Sequence, residues 1–459
     1  MKFDQNEKKH RQMTEEPIEK LIFRLALPST VGMAVIALYS LADAFYVAKL
    51  GTEASAAVGV CFAIQALLQA VGYTLGMGAG SLLSRALGRR ETARADTYSR
   101  IAFFLSLILG VLIGGIGLLF GNPLLRFLGA DATVLPYAIS YVRYLFISAP
   151  FMCGVFVLSQ LLRAEGCAVY SMIGLTVGSL LNIVLDPLLI ARLGISGASA
   201  ATLISQAVSL AVLFSAYLLH HSRISLFKKE KTASFRDMVQ IFYIGMPSAL
   251  RQGLIVLATV LLNRKAGEWS AAALTAISVV SRLFLLAFSF CLGVGQGMMP
   301  IVGYNFGNGT LSRVRKAYGF SIQVSTIGML VLGLIMFFIP APLIAFFRND
   351  PAVIEIGAVA LRAQGAVLIF HGLITCTILL AQALGRPISA SVLAAARQGF
   401  FFVPLLFLLP RILGPIGLLL VQPVADLLTF LMTIPFSIHL KKALQKDSAA
   451  PPVVELPRT

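Results

Sequence analysis

The stretch that decides the fold is GCAVYSMIGLTVGSLLNIVLDPLLIA, residues 166–191, which contains a single charged side chain, Asp186. A run of about 20 mostly apolar residues is long enough to cross the hydrocarbon core of a bilayer as a helix. Such runs recur along the chain, and hydrophobic residues make up 58% of its 459 residues against 12% charged residues. A soluble domain needs more charge than this, and the short alternating segments of a membrane barrel are absent. The sequence therefore predicts an all-α polytopic membrane protein with twelve transmembrane helices.

The basic character of the chain indicates its orientation in the membrane. The net charge of +17 from 37 Lys and Arg residues could suggest nucleic-acid binding, but most of these residues fall in the two tails and the even-numbered loops. Basic residues gather on the cytoplasmic side of a membrane. We therefore expect a bacterial cytoplasmic membrane protein with both termini in the cytoplasm and no nucleic-acid partner. The first residues are polar and show no signal-peptide core, so the first span is expected to direct insertion.

A long polar linker, HHSRISLFKKEKTASFRD, follows the sixth span and divides the chain into similar halves. LALPSTVGM (25–33) resembles YIGMPSALR (243–251), and the glycine-rich segment 76–94 resembles 293–311. Two six-helix halves with the same orientation form pseudo-symmetric lobes around a central cavity that opens to alternate sides. The predicted organisation is a cytoplasmic tail, an N-lobe, a cytoplasmic linker, a C-lobe and a second cytoplasmic tail, at residues 1–21, 22–219, 220–237, 238–440 and 441–459.

The glycine stretch GMGAG (76–80) lies inside a predicted span and follows no strand. A phosphate-binding loop is therefore not expected there. Small residues in a membrane helix allow neighbouring helices to approach closely, and the stretch predicts helix packing.

Two acids, Asp43 and Asp186, lie inside the first and fifth spans. These spans run in the same direction and end near Lys49 and Arg192, so each carboxylate is expected about 9 Å inside the outer boundary. A charged side chain in a membrane is costly. The repeat places Leu262 and Leu405 opposite these acids in the second half, so the scaffold itself does not require carboxylates and the N-lobe is specialised.

The neighbours of the acids supply further oxygen ligands. Tyr39 precedes Asp43 by one helical turn and Asn182 precedes Asp186 by one turn, while Thr202 of the sixth span is expected at a similar depth. Oxygen ligands suit a hard cation such as Na⁺, for which Asp43, Asn182 and Asp186 would be the ligands, and two close carboxylates equally suit a shared proton. Apart from Na⁺, no metal site is expected.

A structural role for both acids is the alternative. In that case Asp186 caps a helix end near Pro187, which removes a backbone donor. Asp43 would then pair with the nearby Lys49.

The chain resembles the multidrug and toxic compound extrusion (MATE) family over nearly its whole length, in particular the bacterial DinF and MepA-like branch. The segments that carry the resemblance are LPSTVGMAVIALYSLADAFYVAKLG, GMGAGSLLSRALGRR, LLRAEG, LLNIVLDPLL and GASAATLISQ. The resemblance implies a secondary transporter that exports small organic, cationic amphipathic compounds in exchange for H⁺ or Na⁺, without another cofactor. It carries the ion site onto Asp43, Asn182 and Asp186, with Thr202 and Tyr39. It also implies drug contact by Glu165, for which an interfacial pair with Arg163 is the alternative.

The second half contains arginines within its spans. Arg251 and Arg282 are candidate substrate-binding residues if they line the central cavity, because intramembrane arginines face the protein interior or water. The substrate would then carry an anionic group. If these arginines and Arg397 instead pair with Asp426 and with backbone carbonyls, they are structural. A cation site in the C-lobe is not expected.

Two other functions remain open as rivals. The first is a lipid-linked or anionic-substrate flippase of the same superfamily, which the C-lobe arginines would suit, although twelve spans favour the MATE assignment. The second is a membrane-embedded enzyme, but no His–Asp, Ser–His or DxD arrangement accompanies the spans. The sequence predicts a transporter and not an enzyme, working in the lipid bilayer as a monomer.

Overall fold

A computed structural model of the chain describes residues 2–219, 221–227 and 234–446. These residues are almost entirely helical and contain no strand. The α-helices are α1 (Lys2–Glu15), α2 (Ile18–Ala48), α3 (Thr52–Gly88), α4 (Thr92–Phe127), α5 (Leu135–Ala164), α6 (Ala168–Leu193), α7 (Ile195–Leu218), α8 (Phe235–Trp269), α9 (Ala271–Gly307), α10 (Leu311–Phe338), α11 (Pro340–Phe347), α12 (Pro351–Val367), α13 (His371–Ala383), α14 (Pro387–Ala395), α15 (Phe402–Leu413) and α16 (Pro415–Lys446).

Twelve helical segments in this described part are long and apolar enough to cross a membrane, which confirms the predicted number of spans. Two of the segments are built from two helices each. A 3₁₀ turn (Leu368–Phe370) joins α12 to α13, and a π-helical turn (Ala396–Phe400) joins α14 to α15. The π turn is closed by a hydrogen bond from Phe401 N to Ala396 O (3.0 Å). Turns of this type insert one extra residue in a helix and frequently occur at functional sites.

Two helices were not expected from the apolar runs. Helix α1 lies in the segment predicted as a tail, and the short α11 follows α10 after a break at Ile339. Pro340 is the first residue of α11, a position that proline favours because its fixed φ suits a helix start and its missing N–H is not needed there.

The two halves of the chain meet at glycines of α3, α8 and α9. Gly78 of α3 faces the backbone of Ile241 in α8, and Gly293 of α9 faces Thr30 in α2, so closely that a side chain at either glycine would overlap its neighbour. Within the described residues, every glycine contact between the halves lies at the ends predicted to be cytoplasmic. We call this region the glycine seam. The helix-packing interpretation of GMGAG is confirmed.

Helix α1 crosses the seam on the same side of the molecule. Asn305 Nδ2 of α9 donates to Met13 O (3.0 Å), and Arg313 Nη2 of α10 donates to Glu16 O (2.6 Å). On the other half, Lys9 Nζ lies 2.9 Å from Cys167 Sγ. The N-terminal helix thus contacts both halves where they are already closed.

Candidate functional site

Asp43 and Asp186 occupy neighbouring positions on α2 and α6. Helix α6 continues through Pro187 to Leu193, and the Asp186 side chain is fully buried within it. The two carboxylates are near enough to interact electrostatically. One oxygen of each, Asp43 Oδ1 and Asp186 Oδ1, is buried without a hydrogen-bond partner. Buried carboxylate oxygens without partners are costly, so the arrangement suits uptake of a proton or a cation.

Asn182 and Thr202 complete one side of this acid pair. With its amide oriented to suit its neighbours, the Asn182 nitrogen donates to Asp186 Oδ2 (3.2 Å) and its oxygen accepts from Thr202 N (3.2 Å). Thr202 Oγ1 donates to Ala198 O (3.1 Å), which leaves its lone pairs available. Asn182 and Thr202 are both buried, so four of the residues expected for an oxygen site lie together.

The structural alternative for the two acids does not match this geometry. Asp186 lies about two turns before the end of α6, which continues as helix to Leu193, so it does not cap the helix end. Lys49 Nζ lies over the ring of Phe45, 4.4 Å from its centroid, and in the described part of the chain it forms no ion pair with Asp43.

Two tyrosines lie beside the acids. Tyr39 is half-buried on α2 and interacts electrostatically with both carboxylates, as expected. Tyr141 of α5 interacts with the same two carboxylates and is almost fully buried, and the sequence reasoning missed it. Counting depth could have found it, because Tyr141 lies about 9 Å from the start of α5, which is the depth predicted for the two acids.

A small cavity of about 30 Å³ extends from this cluster into the N-lobe. Tyr39, Asn182 and Thr202 line one part of it, and Ser205 and Gln206 line another. Ser205 Oγ and Gln206 Oε1 are buried without hydrogen-bond partners. A space of this size with several polar groups around it holds one or two waters or an ion.

Glu165 lies outside this cluster, at the opposite end of the N-lobe. Its buried carboxylate accepts hydrogen bonds from Ser222 Oγ (2.7 Å) and Arg223 N (3.1 Å). Burial raises the pKa of Glu165 above its usual value, against the opposing effect of these hydrogen bonds and of Lys9. The side chain is therefore enclosed under the linker in this conformation and does not face a central cleft.

The alternative pairing of Glu165 with Arg163 is wrong. Arg163 is buried, and its Nε and Nη2 donate to Ser159 O (3.2 Å) and Ser159 Oγ (3.2 Å) of its own helix. The Arg163 guanidinium lines a small cavity in the glycine seam together with Gln160 and Gln296.

A second buried polar cluster lies in the C-lobe around Asp426 of α16. Asp426 Oδ1 accepts from Arg397 Nε (2.8 Å), and Oδ2 lies 3.1 Å from His371 Nε2. Gln364 and Gln422 also donate to this carboxylate, each at 2.8 Å. The sequence identified Asp426 as a possible partner for the arginines but passed over His371, which lacked a partner at metal-ligand spacing.

The other two C-lobe arginines have different surroundings. Arg251 of α8 is half-buried, its Nε has no hydrogen-bond partner, and no carboxylate of the described residues pairs with it. Arg282 of α9 is exposed and lies three helical turns from Gly293. Because positions 11 residues apart lie on nearly the same face of a helix, Arg282 shares the face of α9 that carries Gly293, about 16 Å further along the helix.

Comparison with known proteins gives the family. The MatE family profile matches residues 28–188 and 247–408, which is more than half of the chain. The chain belongs to the MatE family. The two matched segments lie in the two halves that meet at the glycine seam.

Individual relatives resemble this MatE protein along nearly its whole length. The FAD transporter of Shewanella oneidensis is 28% identical over 90% of this chain and 92% of its own length. The multidrug export protein MepA of Staphylococcus aureus is 27% identical over 95% of this chain and 97% of its own. A solved structure described as the outward-facing conformation of a multidrug resistance MATE family transporter matches with a TM-score of 0.89 and 28% identity, over 95% of this chain and 98% of that chain. The MatE protein is a multi-pass membrane transporter and not an enzyme.

Proposed function

We propose that this MatE protein is a cation-coupled antiporter that exports organic compounds by alternating access. The observation that carries the proposal is the pair of buried carboxylates, Asp43 and Asp186, each with one unpartnered oxygen. A proton or a sodium ion bound there removes the cost of those charges. Asn182, Thr202 and Tyr39 are the further oxygen donors, and Asp43, Asn182 and Asp186 are the metal ligands if the ion is Na⁺.

The coupling follows from the position of the site. The acids lie near the end of α2 and α6 that is predicted to face outside, while the halves are closed at the glycine seam on the other side. Ion uptake from outside neutralises the pair, relieves repulsion and allows α2 and α6 to adjust, with Pro187 weakening the hydrogen-bond ladder of α6. Ion and exported compound must favour different conformations, since a ligand shifts an equilibrium only by its differential affinity.

The first candidate for the exported compound is an organic, cationic amphipathic molecule. The acids of the N-lobe suit a positive charge, and the relative named MepA is a multidrug export protein. Export would need no cofactor other than the coupling ion. We expect a monomer in the bacterial cytoplasmic membrane, with both termini in the cytoplasm.

An anionic or lipid-linked substrate is the second candidate. The observation that favours it is Arg251, which has no carboxylate partner in the described chain and lies in range of Arg397. A relative of similar identity is named an FAD transporter, and FAD carries phosphates.

Transport in proteoliposomes tests the antiport proposal. The purified protein is reconstituted, and efflux of a fluorescent organic cation is followed while an inward Na⁺ gradient or an inward pH gradient is imposed separately. We expect one gradient to drive efflux against the concentration gradient of the cation and the other to have no effect. Efflux that neither gradient accelerates contradicts antiport.

A further inference from the structure

The Nε and Nη2 atoms of the Arg397 guanidinium have different surroundings. Its Nε donates to Asp426 (2.8 Å), whereas its Nη2 is buried and has no hydrogen-bond partner. The side chain is nine-tenths buried. One edge of this guanidinium is therefore used to satisfy Asp426, and the other edge is left for a further acceptor.

The backbone at Arg397 also departs from a regular α-helix. Arg397 is the second residue of the π-helical turn Ala396–Phe400, and Gln398 follows it with a buried, unpartnered Oε1. The extra residue of a π turn changes the direction of the side chains that follow it. By chain position, Arg397 lies about 15 Å from the start of α14, near the middle of the membrane.

Arg251 lies across from this turn on α8. Leu254, one helical turn beyond Arg251, is so close to the π turn that a Cβ added at Gly399 would lie 3.4 Å from its side chain. The Arg251 and Arg397 guanidinium groups interact electrostatically. Asp426 balances the charge of Arg397, and the charge of Arg251 is left uncompensated by any carboxylate of the described residues.

Aromatic rings form the remaining wall of this region. The Arg397 Cζ atom lies 4.9 Å from the ring centroid of Phe284 and 5.4 Å from that of Phe288. The two rings are stacked at 5.6 Å, and both are half-buried. Stacked rings beside a cationic group suit a ligand that is both flat and negatively charged.

We propose that Arg251 and Arg397 form an oxyanion-binding subsite in the C-lobe, which takes a phosphate or carboxylate group of an aromatic transported compound. The inference rests on the proposed transport function and specifies its substrate class. The oxyanion accepts from Arg397 Nη2 and from the Arg251 guanidinium, and it supplies the negative charge that Arg251 lacks. Arginine suits this role because its planar fork matches carboxylate and phosphate geometry.

Two flavins that share one ring system test the subsite. Riboflavin and flavin mononucleotide differ by a single phosphate, and their binding to the purified protein is measured by flavin fluorescence. The wild type is expected to bind flavin mononucleotide at least about tenfold more tightly than riboflavin, as a charge-assisted contact provides. Arg251→Gln should remove this preference. Arg411→Gln, which removes an exposed arginine from the same span as Arg397, should retain it.

A double variant addresses Arg397 without leaving Asp426 unpaired. Arg397→Gln together with Asp426→Asn removes both charges, and it should also lose the preference for the phosphate. Equal wild-type affinities for the two flavins, no binding of flavin mononucleotide, or a preference that survives Arg251→Gln would overturn the subsite. Gradient-driven efflux of the organic cation is measured on the same preparations, so antiport can stand while the subsite fails.

Discussion

The residues of the proposed ion site could be predicted by counting depth along single helices. Asp43, Asp186 and Thr202 were predicted to lie at a similar depth, with Asn182 one turn before Asp186. The structure brings Asn182, Asp186 and Thr202 into contact. Tyr141 was missed because the sequence of one helix does not say which neighbour packs against it. The pairing of His371 with Asp426 was missed for the same reason, since the two lie on different helices and are distant along the chain.

Glu165 gives a prediction of pH dependence at the scale of one residue. Because burial raises its pKa, the folded protein binds a proton at Glu165 more tightly than the unfolded chain does. The stability that depends on this proton is present at low pH and is lost as the pH rises through the raised pKa. Glu165→Gln cannot ionise, so its melting temperature in detergent is expected to equal that of the wild type at acidic pH and to exceed it at alkaline pH. At alkaline pH the free energy of unfolding of the two proteins should differ by about 1.4 kcal/mol for each unit by which burial raises the pKa of Glu165.

Melting curves between acidic and alkaline pH, followed by circular dichroism, check this expectation. A constant difference between Glu165→Gln and the wild type at every pH contradicts it, because a pH-independent difference reports lost contacts and not ionisation. Ser222→Ala removes a donor to the carboxylate, so it should raise the pKa of Glu165 further and extend the loss of stability to higher pH.

At the scale of elements, the length of the apolar runs predicted the twelve spans but not the irregular turns within two of them. The π turn at Ala396–Phe400 and the 3₁₀ turn at Leu368–Phe370 leave the hydropathy of their spans unchanged. Such turns depend on contacts with neighbouring helices, which a single sequence does not give. Helix α1 was also missed, because its polar residues follow no membrane pattern and its contacts lie on distant parts of the chain.

The glycine seam predicts the effect of added bulk between α8 and α3. Gly245 faces the backbone of Thr74 without space for a Cβ, whereas Gly253 on the same helix has no atom within 4 Å of a Cβ position. Gly245→Val should therefore prevent close approach of the halves. At an overpacking cost of about 1–3 kcal/mol, the ratio of protein open at the glycine seam to protein closed there rises by a factor of about 5 to about 150.

Spin labels at the ends of α3 and α9 nearest Gly88 and Gly307 measure this opening as a longer distance between the halves. Gly253→Val is the matched control and should leave the distance distribution unchanged. An unchanged distribution in Gly245→Val would show that the seam does not determine closure of this side.

At the scale of the whole molecule, the two repeated halves contain buried groups of opposite charge. The N-lobe holds the acid pair, and the C-lobe holds Arg251 and the cluster of Arg397, His371 and Asp426. The repeat comparison predicted the first part of this asymmetry, because the C-lobe lacks the acids. It could not predict that Asp426 balances only one arginine, since that depends on which helices pack together.

We propose that the acid pair of Asp43 and Asp186 is the ion site that drives export. The most direct test measures efflux of a fluorescent organic cation from proteoliposomes that contain Asp186→Asn, under whichever ion gradient drives the wild type. Asp131→Asn, in an exposed loop, is the control. We predict that Asp186→Asn loses gradient-driven efflux while Asp131→Asn keeps it. Full gradient-driven efflux by a folded Asp186→Asn protein would contradict the account.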